Sequence, residues 1–509
     1  MRDDSDEHRG DHLPVLPPDE AAPHLPLREL ADDAFSRAAG APLIHGNRVE
    51  LLRDARENYP AWLDAISKAT HHIYFESYFI CEDEVGLEFA DAMIAKAKDG
   101  VTVRLIYDWM GNFGKASRRF WQRLRDAGVD VRCYNPPRLE SPFGWLSRDH
   151  RKMVAVDGTV AFVTGLCVGR DWVGDPSRGT EPWRDTGVEI RGRAVPAIER
   201  AFARIWAMLG EPIPLGELPQ TAHSAGNTTL RIVATEPATT GMLRIDQLVA
   251  TLATNRLWLT DAYYAGTTSY VQALRAAAMD GIDVRLLVPN STDLPLMQPL
   301  TRAGYRPLLE AGVRIFEWNG TMLHAKTAVA DGSWARVGST NLNIASWFGN
   351  CELDAVVEDE DFAAKMEQAY LEDLENATEI VLDLKRPRPR PRLRRPRMPR
   401  GLPRLGLRRG AAGHRPLGRR GSAGRAAAGA LRIGNTIGAA FTDRRVLGPV
   451  EARLMTTGGI ALTGLAVLFA LFPRAAAYPA AIVAAWGGLA LLYRGYRLWR
   501  RQRKRQRDT

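Results

Sequence analysis

From Asn47 onward the hydrophobic positions switch between two periods. Leu51 to Ala69 recurs at helical spacing, His72 to Phe79 alternates as a strand, and Leu87 to Lys98 is helical again. Val101 to Tyr107 then predicts a strand entered through Asp99-Gly100, and a helix over Ser117 to Ala127 leads into Val129 to Cys133. Strands separated by helices predict βαβ units, hence an α/β fold with a sheet covered on both faces. The order then starts again. Leu257 to Tyr264 matches Ile73 to Ile80, Asp280 to Leu286 matches Asp99 to Leu105, and Ala311-Gly312-Val313 matches Ala127-Gly128-Val129. A repeat of this length predicts two domains, 44–209 and 229–384, joined by a Pro- and Gly-rich linker over 210–228.

The repeat carries chemistry. Asp149-His150-Arg151-Lys152-Met153-Val154-Ala155-Val156-Asp157-Gly158 returns as Leu323-His324-Ala325-Lys326-Thr327-Ala328-Val329-Ala330-Asp331-Gly332, two copies of H-x-K-x-x-x-x-D. Side chains two apart on a strand share a face, so His150 sits with Lys152 and His324 with Lys326. Asp157-Gly158 and Asp331-Gly332 fall between apolar runs and predict tight hairpins, with each Asp capping the strand that carries His and Lys. A phosphodiester is an anion that repels nucleophiles. Cleaving it takes cations on its oxygens, an attacking group, and an acid for the departing oxygen. Neutral imidazole can attack phosphorus while a second, protonated imidazole serves the leaving alkoxide, and both states are accessible near neutral pH. The lysines would hold the non-bridging oxygens, so this chemistry calls for no metal and no cofactor. A lone His is usually a satisfied surface or core residue; two copies at one spacing argue otherwise. Pseudo-twofold packing would bring both strands to one cleft that neither half builds alone.

The motifs are accompanied by Gly46-Asn47, Tyr59-Pro60 with Ile66 and Ala69, Phe75-Glu76-Ser77-Tyr78-Phe79, Gly100 to Leu105, and Gly338-Ser339-Thr340-Asn341-Leu342-Asn343. Over residues 45 to about 380 the chain resembles the phospholipase D superfamily and, within it, the bacterial cardiolipin synthases. The resemblance implies two pseudo-twofold-related αβα domains sharing one cleft, with His150, Lys152, Asp157, His324, Lys326 and Asp331 catalytic. It implies that Ser339 and Asn341 support the phosphate, and that Glu352 and Asp185 lie near the opposite half's His and orient it. For Asp185, an exposed acid at a strand start reads the residues equally well. The first half departs from the family pattern, with Thr164-Gly165-Leu166-Cys167 where Gly-Gly-x-Asn is expected. A thiol is a weaker donor than an amide, which leaves Cys167 out of the phosphate contacts. An insertion over Asn135 to Trp145, carrying Phe143 and Trp145, reads as a lip for acyl chains or as a plain surface loop.

Composition adds placement. The 509 residues, 45% hydrophobic, can bury a large core. Residues 1–384 hold 39 Lys and Arg against 56 Asp and Glu, whereas residues 385–509 hold 29 against 3. An acidic catalytic region is a poor platform for a nucleic-acid backbone, so no nucleic-acid partner is expected, and the basic tail reads as a contact for an anionic surface. Residues 1–43, rich in Asp, Glu, Pro and His with no apolar period, predict a disordered or loosely held arm and no secretory signal. Cys81, Cys133, Cys167 and Cys351 are far apart and read as buried free thiols of a reducing compartment. The Arg-Pro repeats and Gly, Ala and Arg of 385–432 predict an extended basic linker. Beyond a juxtamembrane segment at 433–453, the apolar runs 454–472 and 475–493 approach the length that spans a bilayer core of ~30 Å. They predict a C-terminal two-helix membrane hairpin, with a re-entrant or interfacial pair as the alternative. Basic flanks at Arg444, Arg445 and Arg453 and in the 494–509 tail would keep the catalytic region on the cytoplasmic side of a bacterial inner membrane.

The expectation is a membrane-anchored transphosphatidylase resembling cardiolipin synthase. His150 would take the phosphatidyl group of one phosphatidylglycerol. His324 would act as acid and then base, and a hydroxyl of a second phosphatidylglycerol would complete cardiolipin and release glycerol. The partners implied are anionic phospholipid (phosphatidylglycerol and cardiolipin) and the membrane. A hydrolytic phospholipase D or another phosphodiesterase would use the same six residues with water as acceptor. A non-catalytic membrane scaffold would have no need of both intact His-Lys pairs.

Overall fold

The computed structural model describes residues 27–137, 147–219, 221–294 and 297–382, with scattered residues between 460 and 493. In chain order the first half runs α1 (Leu27–Ala39), β1 (Ile44–Arg53), α2 (Asp54–Lys68), β2 (His72–Ser77), α3 (Glu84–Lys98), β3 (Thr102–Asp108), α4 (Arg118–Asp126) and β4 (Asp130–Tyr134). It continues through β5 (Met153–Val156), β6 (Val160–Thr164), the short α5 (Arg170–Val173), β7 (Thr186–Gly192) and α6 (Val195–Leu209). The second half runs β8 (Thr228–Thr235), α7 (Gly241–Leu252), β9 (Arg256–Thr260), α8 (Thr268–Met279), β10 (Asp283–Pro289), α9 (Met297–Ala303), α10 (Tyr305–Glu310) and β11 (Arg314–Trp318). It closes with β12 (Thr327–Ala330), β13 (Trp334–Gly338), β14 (Glu352–Glu358), α11 (Glu360–Glu375) and β15 (Ala377–Ile380).

These strands form one sheet whose centre is the antiparallel pair β1 and β8. Outward from β1 the order is β7-β6-β5-β2-β3-β4, and outward from β8 it is β14-β13-β12-β9-β10-β11 with β15 added at the edge. The two paths are the same path. In each half the strands that follow crossover helices pair in parallel (β2-β3-β4 and β9-β10-β11), and the strands joined by hairpins pair antiparallel. The two hairpins turn where Asp-Gly predicts. Asp157 and Gly158 have φ of 52° and 65°, and Asp331 and Gly332 have 51° and 67°. These are paired left-handed residues of tight turns closed by the Thr159 N–H on the Val156 carbonyl and the Ser333 N–H on the Ala330 carbonyl, with three residues in each loop.

Two expectations need correction. Leu51 to Arg53 belong to β1, paired with Val188, Gly187 and Thr186 of β7, and the helix starts only at Asp54, whose φ of 56° ends the strand. Short apolar runs satisfy both periods, and here sheet pairing decides. Secondly, residues 27–39 are helix α1, packed on α7 with Ala39 and Ala41 buried, where an arm is expected; the shorter apolar stripe of Phe35 and alanines carries little hydropathy signal. Helices cover both faces of the sheet, as the βαβ order predicts. One core unites the inner faces of both halves, Val163 and Val188 with Val337 and Leu353, and is closed by α6 and α11. Separate outer cores lie under α2, α3 and α4 and under α7, α8 and α10.

Of the four free thiols, Cys167 and Cys351 are buried and Cys81 and Cys133 only partly so. Within 210–228, Leu215–Glu217 forms a single 3-10 turn and Ile213 is buried. Among the described residues no helix is long and apolar enough to cross a membrane. The apolar runs 454–472 and 475–493 lie largely outside the described residues. Residues 1–26, most of the 135–145 insertion, the basic linker, the juxtamembrane segment and the 494–509 tail also lie outside them.

Candidate active site

Each His-Lys segment is an extended approach to its hairpin and is fastened to the opposite half. The His150 N–H donates to the Cys351 carbonyl at 2.9 Å and the Cys351 N–H to Arg148 at 2.8 Å. The counterpart pair runs from the His324 N–H to the Arg184 carbonyl at 2.7 Å and from the Arg184 N–H to Met322 at 2.9 Å. These crossed backbone contacts deliver the next residue of each strand to the other half's imidazole. Glu352 Oε2 stands 2.9 Å from His150 Nδ1, and Asp185 Oδ2 stands 2.7 Å from His324 Nδ1. Both carboxylates are fully buried.

The partners set the tautomers. His150 Nδ1 faces two acceptors, Glu352 Oε2 and the Ser339 carbonyl at 3.1 Å, so Nδ1 carries the proton and the lone pair sits on Nε2. Ser339 Oγ donates to the same Glu352 oxygen at 2.6 Å, and Asn350 reaches the other at 3.2 Å. His324 Nδ1 donates to Asp185, while the Lys326 ammonium lies 2.9 Å from that nitrogen and donates to the His324 carbonyl. Lys152 donates likewise to the His150 carbonyl. Both lysines are buried.

Burial and the crowd of cations determine protonation. Burial and the neighbouring Lys326 depress His324 to about 4 against the pull of Asp185. His150 is also depressed, chiefly by burial, with Lys152 and Lys326 adding to it and Glu352 opposing. Burial, with Lys152 adding, brings Lys326 down to about 8 despite Asp185. Burial raises Asp185, but His324, Lys326 and the Trp172 N–H outweigh it and hold the carboxyl at about 2. Each half's lysine thus acts on the other half's imidazole, as groups of one site do. With both imidazoles neutral, two ammonium groups balance two committed carboxylates, and a phosphodiester bound among them would favour protonation of an imidazole.

The halves are not equivalent. Thr164 and Gly338 occupy matching ends of β6 and β13, so Gly165 corresponds to Ser339. A Cβ on Gly165 would lie 2.2 Å from Asp185 Oδ1, so no serine fits there. Asp185 is held instead by Trp172 Nε1 at 3.0 Å and the Thr186 N–H at 2.8 Å. Asn341 is nearly buried, and its Oδ1 has no hydrogen-bond partner among the described residues, a cost that a bound donor would offset. Its counterpart Cys167 is buried, with its carbonyl bonded by the Tyr59 hydroxyl at 2.7 Å, and burial pushes its thiol up.

Asp157 and Asp331, expected among the catalytic groups, are not brought to the imidazoles. Four strand residues, roughly 13 Å, intervene. Asp157 instead accepts the backbone N–H groups of Thr70, His71 and His72, and Asp331 those of Thr254, Asn255 and Arg256, at 2.7–2.9 Å. Each fixes the chain where β2 or β9 begins. Sequence reasoning passes over the aromatic walls. Tyr78 meets His150 edge-on at 5.0 Å and Tyr263 meets His324 at 5.8 Å, each also facing the lysine of its half. Trp172 and Trp183 flank His324 at 5.4 and 5.7 Å. Only the proximity of Trp183 to Asp185 in the chain hints at this.

The family model described as cardiolipin synthase, PLD-like domain, matches the chain twice, over residues 62–173 and 249–374. A cardiolipin synthase of Alkalihalophilus pseudofirmus is 33% identical over 356 residues, which cover 68% of this chain and 70% of that protein. A cardiolipin synthase of a Geobacillus species is 33% identical over 371 residues, 72% of each chain. The crystal structure of phosphatidylserine synthase from Haemophilus influenzae aligns with 68% of this chain and 91% of its own, with a TM-score of 0.54 at 13% identity, a likeness of fold. With its duplicated His-Lys motif and two His-carboxylate pairs that cross between two like halves, the chain belongs to the cardiolipin synthase family of the phospholipase D superfamily.

Proposed function

We propose that the protein transfers a phosphatidyl group between two phosphatidylglycerol molecules through a phosphohistidine, giving cardiolipin and glycerol. The observation that carries the reading is the tautomer of His150, whose Nδ1 is committed to Glu352 and Ser339 and whose Nε2 is left as nucleophile. Nε2 attacks phosphorus, the P–O bond to the head glycerol breaks, and the protonated His324 gives its proton to the departing oxygen. The phosphatidyl group now sits on His150. A hydroxyl of the second phosphatidylglycerol attacks phosphorus, His324 takes the hydroxyl proton, and the P–N bond breaks.

Lys152 and Lys326 supply positive charge to the non-bridging oxygens, and Asn341 and Ser339 support the pocket from the second half. Glu352 and Asp185 orient the rings and stabilise the charge each ring acquires. Asp157 and Asp331 act at a distance by fixing the hairpins. Membrane attachment through residues 454–493, with the catalytic halves on the cytoplasmic side, belongs to the same proposal and rests on the apolar runs and their basic flanks.

The test is quenching of the enzyme during turnover of labelled phosphatidylglycerol with alkaline detergent, which spares the acid-labile P–N bond, followed by mass mapping of the adduct and analysis of the lipid products. A phosphatidyl group on His150 together with labelled cardiolipin is expected. An adduct on His324 reverses the roles of the two histidines, and phosphatidic acid in place of cardiolipin makes water the acceptor.

A further inference from the structure

Away from the active site, a groove of about 760 Å³ runs along α6 beside the β1-β8 seam. Its floor is apolar, with Ile213 and Ile232 buried, and Leu215 at its edge is 81% exposed. Its rim is cationic. Arg37 of α1, Arg200 and Arg204 of α6 and Arg244 of α7 line it together with one carboxylate, Glu236. Arg204 pairs with Glu236 at 3.2 Å, but among the described residues Arg37, Arg200 and Arg244 have no acidic partner. Burial and the like charges of Arg151 and Arg200 press on Arg204, so the cluster gains from an anion.

The chain contains a segment with the complementary chemistry. Residues 1–26 hold seven Asp and Glu against two Arg. Between the acidic stretches Asp3–Asp11 and Asp19-Glu20 lies the apolar run Leu13-Pro14-Val15-Leu16-Pro17-Pro18. A Pro-rich run loses little conformational freedom on docking in a groove and leaves its flanks for charge pairing. The tether has the right length. The segment joins α1 at Leu27, and the other end of this 13-residue helix, about 20 Å away, lines the groove at Arg37 to Gly40. The eight residues from Asp19 to Pro26 reach about 26 Å when extended. Tethering at this range makes the local concentration of the segment millimolar in order, so weak charge pairing suffices.

We propose that the α1-α6 groove is the docking site of this chain's own residues 3–20, with Leu13 to Pro18 on the apolar floor and the acidic flanks on the arginines. While seated, the segment denies the groove to anionic headgroups. The test uses the full chain in detergent with a photoreactive amino acid in place of Leu16. Crosslinks to residues 197–218 are expected at low salt, and should be lost near 1 M salt, where the screening length falls to roughly 3 Å. Hydrogen exchange of α6 should become several-fold faster when the seven acidic residues are replaced by Asn and Gln. Arg200→Glu with Arg244→Glu, both exposed positions, should abolish the crosslink, and replacing Asp3, Asp4, Asp6 and Glu7 by Lys in that variant should restore it. Crosslinks elsewhere on the chain, or to a second copy, overturn the proposal. So does protection of α6 that appears only with phosphatidylglycerol vesicles and ignores the acidic replacements, which would make the groove a lipid site.

Discussion

Replacing Glu352 by Gln removes one negative charge while keeping the side chain's length. Glu352 Oε2 accepts from both His150 Nδ1 and Ser339 Oγ, and Oε1 accepts from Asn350. Every neighbour is a donor, so an amide must turn an NH2 toward at least one of them. If it turns toward His150, two N–H groups meet, and the ring either keeps its Nδ1 proton on the Ser339 carbonyl alone or moves it to Nε2, the atom required for attack. If it turns toward Asn350, the ring keeps its proton but faces a neutral acceptor. The ring that carries phosphorus is cationic, and a hydrogen bond to a charged partner is worth about 1.5–3 kcal/mol. Losing it lowers kcat by roughly 10- to 150-fold. KM should change little, because resting His150 is neutral and the charge develops only as phosphorus is bound covalently. The assay is single-turnover formation of the adduct from labelled phosphatidylglycerol, beside a circular-dichroism melt that verifies folding. A folded Glu352→Gln protein with kcat within about twofold of the parent would falsify the orienting role, since a charge-assisted bond cannot be lost that cheaply.

Gly165→Ala should disable the other carboxylate, since the new Cβ meets Asp185 at 2.2 Å; at least a tenfold loss of activity is expected with a stability cost of about 1–3 kcal/mol, read by turnover and thermal melts. Asn341→Ala should raise KM by about tenfold through one lost contact to the phosphate, whereas Cys167→Ala should stay within about threefold, so equal effects would contradict the asymmetry. Asp331→Asn should lower the Tm by loosening the start of β9 yet leave kcat near that of the parent, and a catalytic collapse in a folded variant would return Asp331 to the chemistry. His324 binds its proton less tightly folded, at about 4, than unfolded, at 6.5, so the unfolded chain takes up more protons between those values. Stability should therefore fall as pH drops from 6.5 toward 4, and His324→Asn should flatten that part of a Tm-against-pH curve.

What can be read from the chain alone is what is local. Histidine and lysine two residues apart, a four-residue apolar strand and Asp-Gly with two left-handed residues all lie within ten positions, and each obeys a short-range rule. The βαβ order follows from periods spanning a helix or a strand. The end of β1 is different, because Leu51 and Leu52 suit either period and only their pairing to β7 decides. Helix α1 is similarly hidden, since its few apolar residues matter through α7, more than 200 positions away. Trp172 and Tyr263 follow no spacing relative to His324, yet both end within 6 Å of its ring because the sheet closes around it. The role of Asp157 and Asp331 is invisible for the same reason, as their partners are amides some 75 to 87 positions earlier.

The crossed backbone contacts at Cys351 and Arg184 have a bearing on the history of such a molecule. Copying a gene segment ordinarily yields a spare that is free to decay or to take up new work. Here neither repeat is a spare, because each borrows the acid that aligns its ring from its sibling. Drift at Gly165 or Ser339 is judged by what happens to a histidine encoded in the other copy, and the two repeats are bound to evolve as one.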